Sequence, residues 1–167
     1  MRPQDIVVLL KLVSSGNQPM LLTNLSNSLL ISLSEVSESL NRSQTANLLD
    51  YDKKNVLRQN LMEFLQYGVR YVFPQKPGTM TRGLPTAHAH PFMAQSFSGN
   101  IPYVWPDING EEIGLEILPF YEKQAPAARQ DEVLYKILAL VDVLRVGKLR
   151  EIKVAIHELK NMILHES

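Results

Sequence analysis

Apolar residues recur at helical spacing near both ends of this chain and less regularly in the middle. Pro3 suits the first turn of a helix, and Ile6, Leu9, Leu10 and Val13 then return every three or four positions until Gly16. A helix is expected over about 3–14. Thr23 stands where it could cap a short helix with Leu25 and Leu29 inward, broken at Leu30–Ile31. Ser32 and Glu35 then have capping-box spacing, in which each side chain satisfies a free backbone N–H. Leu33, Val36 and Leu40 form the next apolar stripe, Asn47 suits a left-handed terminator, and Leu48 and Leu49 return to the core. Short helix, tight turn and longer helix make a helix-turn-helix organisation.

A fourth helix is expected over 55–67, burying Leu57, Leu61, Phe64 and Leu65, with Gly68 as its cap. VRYVF at 69–73 is β-branched and aromatic and reads as a strand. Residues 74–100 read as loop, with a short strand near Thr86–Ala89. YVWP, DING and EEIGLEI read as a hairpin turning at Asn109-Gly110. Pro119 and Pro126 bracket a connection to two more stripes. Leu134, Ile137, Leu138, Val141 and Leu144 make one, and Leu149, Ile152, Ile156, Leu159 and Ile163 the other. With only a glycine, Gly147, between them, these are a helical hairpin or one kinked helix. The expected fold class is α+β: a mainly helical core, a small antiparallel β portion and a C-terminal helical hairpin. Its expected segments are 1–100, 101–125 and 126–167.

Composition narrows the function. The chain has 167 residues, 45% hydrophobic and 20% charged, enough for one domain with a core of its own. No apolar run reaches the length of a membrane span, and the N-terminus lacks a signal-peptide cleavage pattern. The absence of cysteine excludes disulfides and thiolate metal sites and fits a cytoplasmic protein. Net charge is zero, but unevenly spread: residues 51–90 carry six Lys/Arg against two Asp/Glu, and residues 91–125 one against five. The basic stretch suits a local phosphate-binding surface; it equally suits a solvated face.

The stretch SLSEVSESLNRSQTANLL, a capped helix followed by a terminator and a hydrophobic pair, resembles the recognition helix of winged helix-turn-helix DNA-binding regulators of the MarR type. LMEFLQYGVRYVFP, RGLPTAH and LYKILALVDVLRVGK are together similar to a family of small bacterial helix-turn-helix proteins. The resemblance implies double-stranded DNA as partner and transcriptional regulation as function, with Ser34, Ser37, Glu38, Asn41, Arg42 and Thr45 facing the major groove. Asn41 and Arg42 suit base edges; Glu35 and Glu38 repel phosphate. Lys53 and Lys54 are placed to meet the backbone, and Lys76, Thr79, Thr81 and Arg82 form a wing-like loop with Gly78 and Gly83. The chain departs from the family in the whole helix expected between recognition helix and first strand.

Other chemistry is thin. On a strand, His88 and His90 would share a face and could supply two zinc ligands, but no third is in sight, and His157 and His165 lie far away in sequence. No nucleophile motif and no P-loop is present, so no enzyme activity, metal or cofactor is expected, and the two histidines are expected to be hydrogen-bonding loop residues. Trp105, the single tryptophan, reads as a core plug. The C-terminal stripes predict a homodimer through Leu134, Val141, Leu149, Ile156 and Leu159. The competing expectation is an adaptor or antitoxin-like protein using the same scaffold to hold a second protein.

Overall fold

The structure, a computed structural model, describes residues 1–16 and 18–165. Helix α1 (Pro3–Ser14) starts behind Pro3, where the Asp5 carboxylate accepts from the Arg2 N–H at 2.7 Å. The sequence predicts an amphipathic helix here; in the fold Ile6 to Leu10 are all fully buried, so the middle of α1 is covered on every side. Helix α2 (Leu22–Leu29) follows an N-cap at Leu21 rather than Thr23, and Leu30 turns the chain at φ 58°. Helix α3 (Leu33–Thr45) begins where the Ser32 hydroxyl accepts from the Glu35 N–H at 3.3 Å, the serine half of the expected capping box. Asn47 takes the left-handed conformation expected of it, at φ 61°.

Next comes an element the sequence pattern did not separate from the loop. Leu49 pairs antiparallel with Val56, the Leu57 N–H donates to the Leu48 carbonyl at 2.9 Å, and the Asp50 N–H donates to the Asn55 carbonyl at 2.9 Å. Residues 48–57 thus double back on themselves through a single antiparallel bridge, a short ribbon.

Helix α4 (Arg58–Tyr67) reaches Gly68, which bends the chain rather than ending the helical run, for Val69–Val72 form the short helix α5. The strand expected at 69–73 is therefore corrected to a helical turn. Val69 is buried, α5 packs on a later helix, and the Phe73 carbonyl accepts from Arg145 at 2.9 Å; this packing overrides the β-propensity of the side chains. Strand β1 (Met80–Thr86) leads into a 3-10 turn at Ala87–Ala89 and the short helix α6 (Pro91–Ala94). Strands β2 (Tyr103–Pro106) and β3 (Glu112–Glu116) follow, then α7 (Gln124–Arg129), α8 (Glu132–Val146) and α9 (Leu149–Leu164).

The expected hairpin of β2 with β3 is also corrected. Both strands pair antiparallel with β1, β3 on its first half (Met80 opposite Leu115) and β2 on its second (Thr86 opposite Tyr103), so β2 and β3 run parallel to each other. The swap from one partner to the other happens at Gly83, which faces both Pro106 and Glu112. A Cβ there would lie 1.9 Å from the Trp105 carbonyl oxygen, and one on Gly110 only 2.5 Å from the Gly83 backbone. Only glycine lets three chain segments meet this closely.

One core joins residues of all three expected segments. Helix α1 packs between α3 and α8, α4 packs on α9, and Arg58 donates to the Ile163 carbonyl at 2.9 Å. The sheet is fastened to α8 by Asp142. One of its carboxylate oxygens accepts from the Thr86 hydroxyl at 2.8 Å and the Trp105 indole at 2.7 Å; the other accepts from Arg145 at 2.9 Å. Trp105 is fully buried, as its core-plug reading expects. The helical hairpin of α8 and α9 is present, and three of the five positions expected at an interface between copies turn inward. Leu134, Val141 and Leu159 are fully buried inside this chain, so they have no surface to offer a second copy. Ile156 is half-buried, and of the five only Leu149 stands out, 69% exposed. Among the described residues no helix is long and apolar enough to cross a membrane.

Candidate nucleic-acid interface

The core stripe of α3 is Val36, Ser39, Leu40 and Ser43, packed toward α1 and α2. Its opposite face therefore presents Ser34, Ser37, Glu38, Asn41 and Thr45, all exposed. These are the positions the helical pattern turns outward.

Arg42 is elsewhere. Its guanidinium donates twice to the buried Asp5 carboxylate, at 2.9 and 2.8 Å, and lies 3.8 Å from Glu38. Burial alone would raise the Asp5 carboxyl; the bonds from Arg42 and the Arg2 N–H overcome it and hold the group below the ordinary carboxylate range. The one arginine of α3 thus ties the helix to α1 in place of facing outward.

The ribbon supplies the cations. The Asp50 carboxylate accepts from the backbone of Asn55 (3.1 Å), the backbone of Lys54 (2.8 Å) and the Asn55 amide (2.7 Å), which fixes the tip. The same bonds, the one from Asn55 foremost, lower the Asp50 carboxyl. Lys53 is left-handed at φ 58° and Tyr51 is 88% exposed. Two contacts tie the tip to α3: Gln44 donates to the Tyr51 carbonyl at 3.0 Å, and the Lys53 ammonium donates to the Asn41 side-chain oxygen. The outer face of α3 and the ribbon form one surface. Its charges are Lys53 and Lys54 against Glu35, Glu38, Asp50 and Asp52. Beneath the rim of Ser37, Asn41, Lys53 and Lys54 lies a cleft of about 310 Å³ floored by Leu25 and Leu40.

The loop expected to act with α3 is placed on another part of the molecule. Lys76 and Thr79 are exposed on the extended approach to β1, where the Thr79 carbonyl accepts from the Glu116 N–H at 3.0 Å. Arg82, on β1, donates to the Gly110 carbonyl at 3.3 Å. Strand β1 packs on β2, β3 and α8, whereas α3 packs on α1 and α2. Asn41, Thr45, Lys53 and Lys54 come together; Lys76, Thr79 and Arg82 belong to the sheet.

The histidines lie in a 3-10 turn and the cap after it, and both are buried. A ring nitrogen of His88 bonds the Ile101 carbonyl at 2.9 Å, and the ring meets Tyr103 edge-on. His90 Nδ1 accepts from the Phe92 N–H at 3.1 Å, capping α6, and the ring meets Tyr135 edge-on. Burial first, and the Lys136 charge second, lower its pKa to about 4. Among the described residues no group of three or more His, Cys, Asp or Glu could hold a metal ion.

Sequence reasoning missed Asp5, Gln44, Asp50 and Tyr51. The ribbon did leave a signal: apolar pairs Leu48-Leu49 and Val56-Leu57 flank six polar-rich residues, DYDKKN. No family model, curated protein or solved structure matches this chain.

Proposed function

We propose that this chain is a cytoplasmic, sequence-specific double-stranded DNA-binding protein that regulates transcription. The observation that carries the reading is the bonded surface of α3 and the ribbon, in which Gln44 and Asn41 hold the tip carrying Tyr51, Lys53 and Lys54. The order α1, α2, α3, ribbon supports a winged helix of the kind the sequence resembles, with 48–57 rather than 76–82 as the wing. Ser34, Ser37, Asn41 and Thr45 then face base edges, Lys54 lies toward phosphate, and Lys53 adds its charge beside Asn41.

With Arg42 held by Asp5, few free cations remain, so log affinity against log salt is expected to fall with a slope of about −2 per chain. Recovery of bound molecules from a pool of randomised duplexes, followed by fluorescence anisotropy on the recovered sequence, tests this. Asn41→Ala with Lys54→Ala should weaken binding at least tenfold; unchanged affinity rules out this docking.

A second reading, a protein-binding adaptor, is favoured by Glu35 and Glu38 on the exposed face and by the apolar floor of the cleft. It predicts no duplex recovery and a stoichiometric protein partner whose binding Glu38→Lys abolishes.

A further inference from the structure

The contact between Lys53 and Asn41 has a chemical direction. An ammonium only donates, so the Asn41 oxygen must face Lys53 and its Nδ2 must point away. The ribbon holds the lysine there: its N–H donates to the Asp50 carbonyl at 3.0 Å, and the Asp50 carboxylate clamps the next two backbone N–H groups. An asparagine that reads adenine uses both ends of its carboxamide, accepting from N6 and donating to N7. Here Lys53 takes one of the two acceptor positions of the Asn41 oxygen and sets an ammonium beside the other. Asn41 offers its two Nδ2 hydrogens, and Lys53 has two further N–H groups beside them. The exposed edge of the pair is therefore rich in donors.

Guanine shows two acceptors, N7 and O6, on its major-groove edge, whereas adenine shows one acceptor and one donor. Arginine, the side chain most often matched to guanine, is absent from this face because Asp5 holds Arg42. We propose that Lys53 turns Asn41 into a guanine reader, so that the preferred duplex carries guanine where α3 meets it at Asn41 and Lys53. The proposal rests on the reading of the α3 and ribbon surface as the duplex-binding face. Lys53 is in this account a specificity-determining residue as well as a cation.

The test uses the full chain and a pool of randomised duplexes, with the recovered molecules sequenced for the wild type, Lys53→Met and Lys53→Arg. All three side chains meet the same backbone demand at φ 58°, so differences report the side chain. The wild type should enrich guanine at one fixed position, and Lys53→Arg should keep it. In Lys53→Met the freed carboxamide should shift that position toward adenine, changing the relative preference about tenfold. Asn41→Asp, which keeps an acceptor for Lys53 but removes the donor, should lose the guanine preference. Guanine retained unchanged in both Lys53→Met and Asn41→Asp overturns the proposal while leaving duplex binding intact. Failure of the wild type to recover any duplex overturns the underlying reading and this inference with it.

Discussion

Two aspartate–arginine pairs, one in each half of the molecule, are built from the same groups and behave in opposite ways. Asp142 and Arg145 lie one turn apart on α8, both buried, with Arg145 also 4.4 Å above the Phe120 ring. Asp5 and Arg42 join α1 to α3, and the Arg42 side chain keeps 23% of its surface in water. Burial pushes the Asp142 carboxyl up, outweighing the pull of Arg145, Thr86 and Trp105. At Asp5 the balance reverses: burial raises, but the two-pronged guanidinium and the Arg2 N–H pull harder and the carboxyl goes down. Burial is the largest single influence on both carboxyls; it is deeper around Asp142, and around Asp5 shallow enough for the bonds from Arg42 and Arg2 to overcome it. On the α8 side the ion pair is sealed and fastens the sheet; on the α3 side it touches solvent at the candidate interface.

The largest expected effect is at the sealed pair. Asp142→Leu leaves Arg145 buried without a counter-charge and strips acceptors from Thr86 and Trp105, a loss of about 3–5 kcal/mol in urea unfolding. Asp142→Leu with Arg145→Met should recover much of it, because the cost is that of the orphaned charge. Simple addition of the two single losses would mean that the pair is not coupled and the contrast fails.

His90, also on the α8 side, comes next. Its folded pKa of about 4 lies below the ordinary 6.5, so the fold prefers the neutral ring, whose Nδ1 must accept from Phe92. The unfolded chain binds the extra proton between those values. Stability is therefore complete above pH 6.5 and falls as pH drops toward 4, by an amount on the order of 2–3 kcal/mol. His90→Gln should flatten that limb of the stability–pH curve, and an unchanged slope in the variant would assign the limb to other groups. Asp5 acts lower: with its pKa depressed, its contribution is present above about 3.8 and disappears only below it.

The smallest loss is expected at the pair that meets solvent. Asp5→Asn should cost about 1–2 kcal/mol, since Arg42 can turn to water. Released toward the outer face, Arg42 should also steepen the salt dependence of duplex binding by about one unit of slope. A stability loss equal to that of Asp142→Leu, with no change in slope, would erase the distinction between the two pairs.

Legibility followed the range of the signal. Helices α8 and α9 were plain because their stripes repeat over four turns, and the outward positions of α3 followed from the same period. Residues 69–73 misled because α8 determines their conformation; their own β-branched composition does not. The pairing of β1 with two parallel partners is encoded in Gly83 and Gly110, which need each other across the fold and look like ordinary turn glycines in the chain. Arg42 looked free because its partner lies 37 positions away, and Asp142 is 56 positions from Thr86 and 37 from Trp105. Side-chain bonds at such separations leave no local pattern.

Helix α1 connects these halves, and its burial has a consequence in time. Amides in the middle of this helix, where every side is covered, exchange their hydrogens only when the whole molecule opens, on the slowest scale the protein has. Val36 and Leu40 rest against this layer, so the inner side of α3 shares that slow clock, while the ribbon tip is closed by hydrogen bonds at the surface and can open without the rest. The surface joining Asn41 to Lys53 is thus a seam between a part that keeps its shape for as long as the protein stays folded and a part whose bonds can break and re-form while the fold persists.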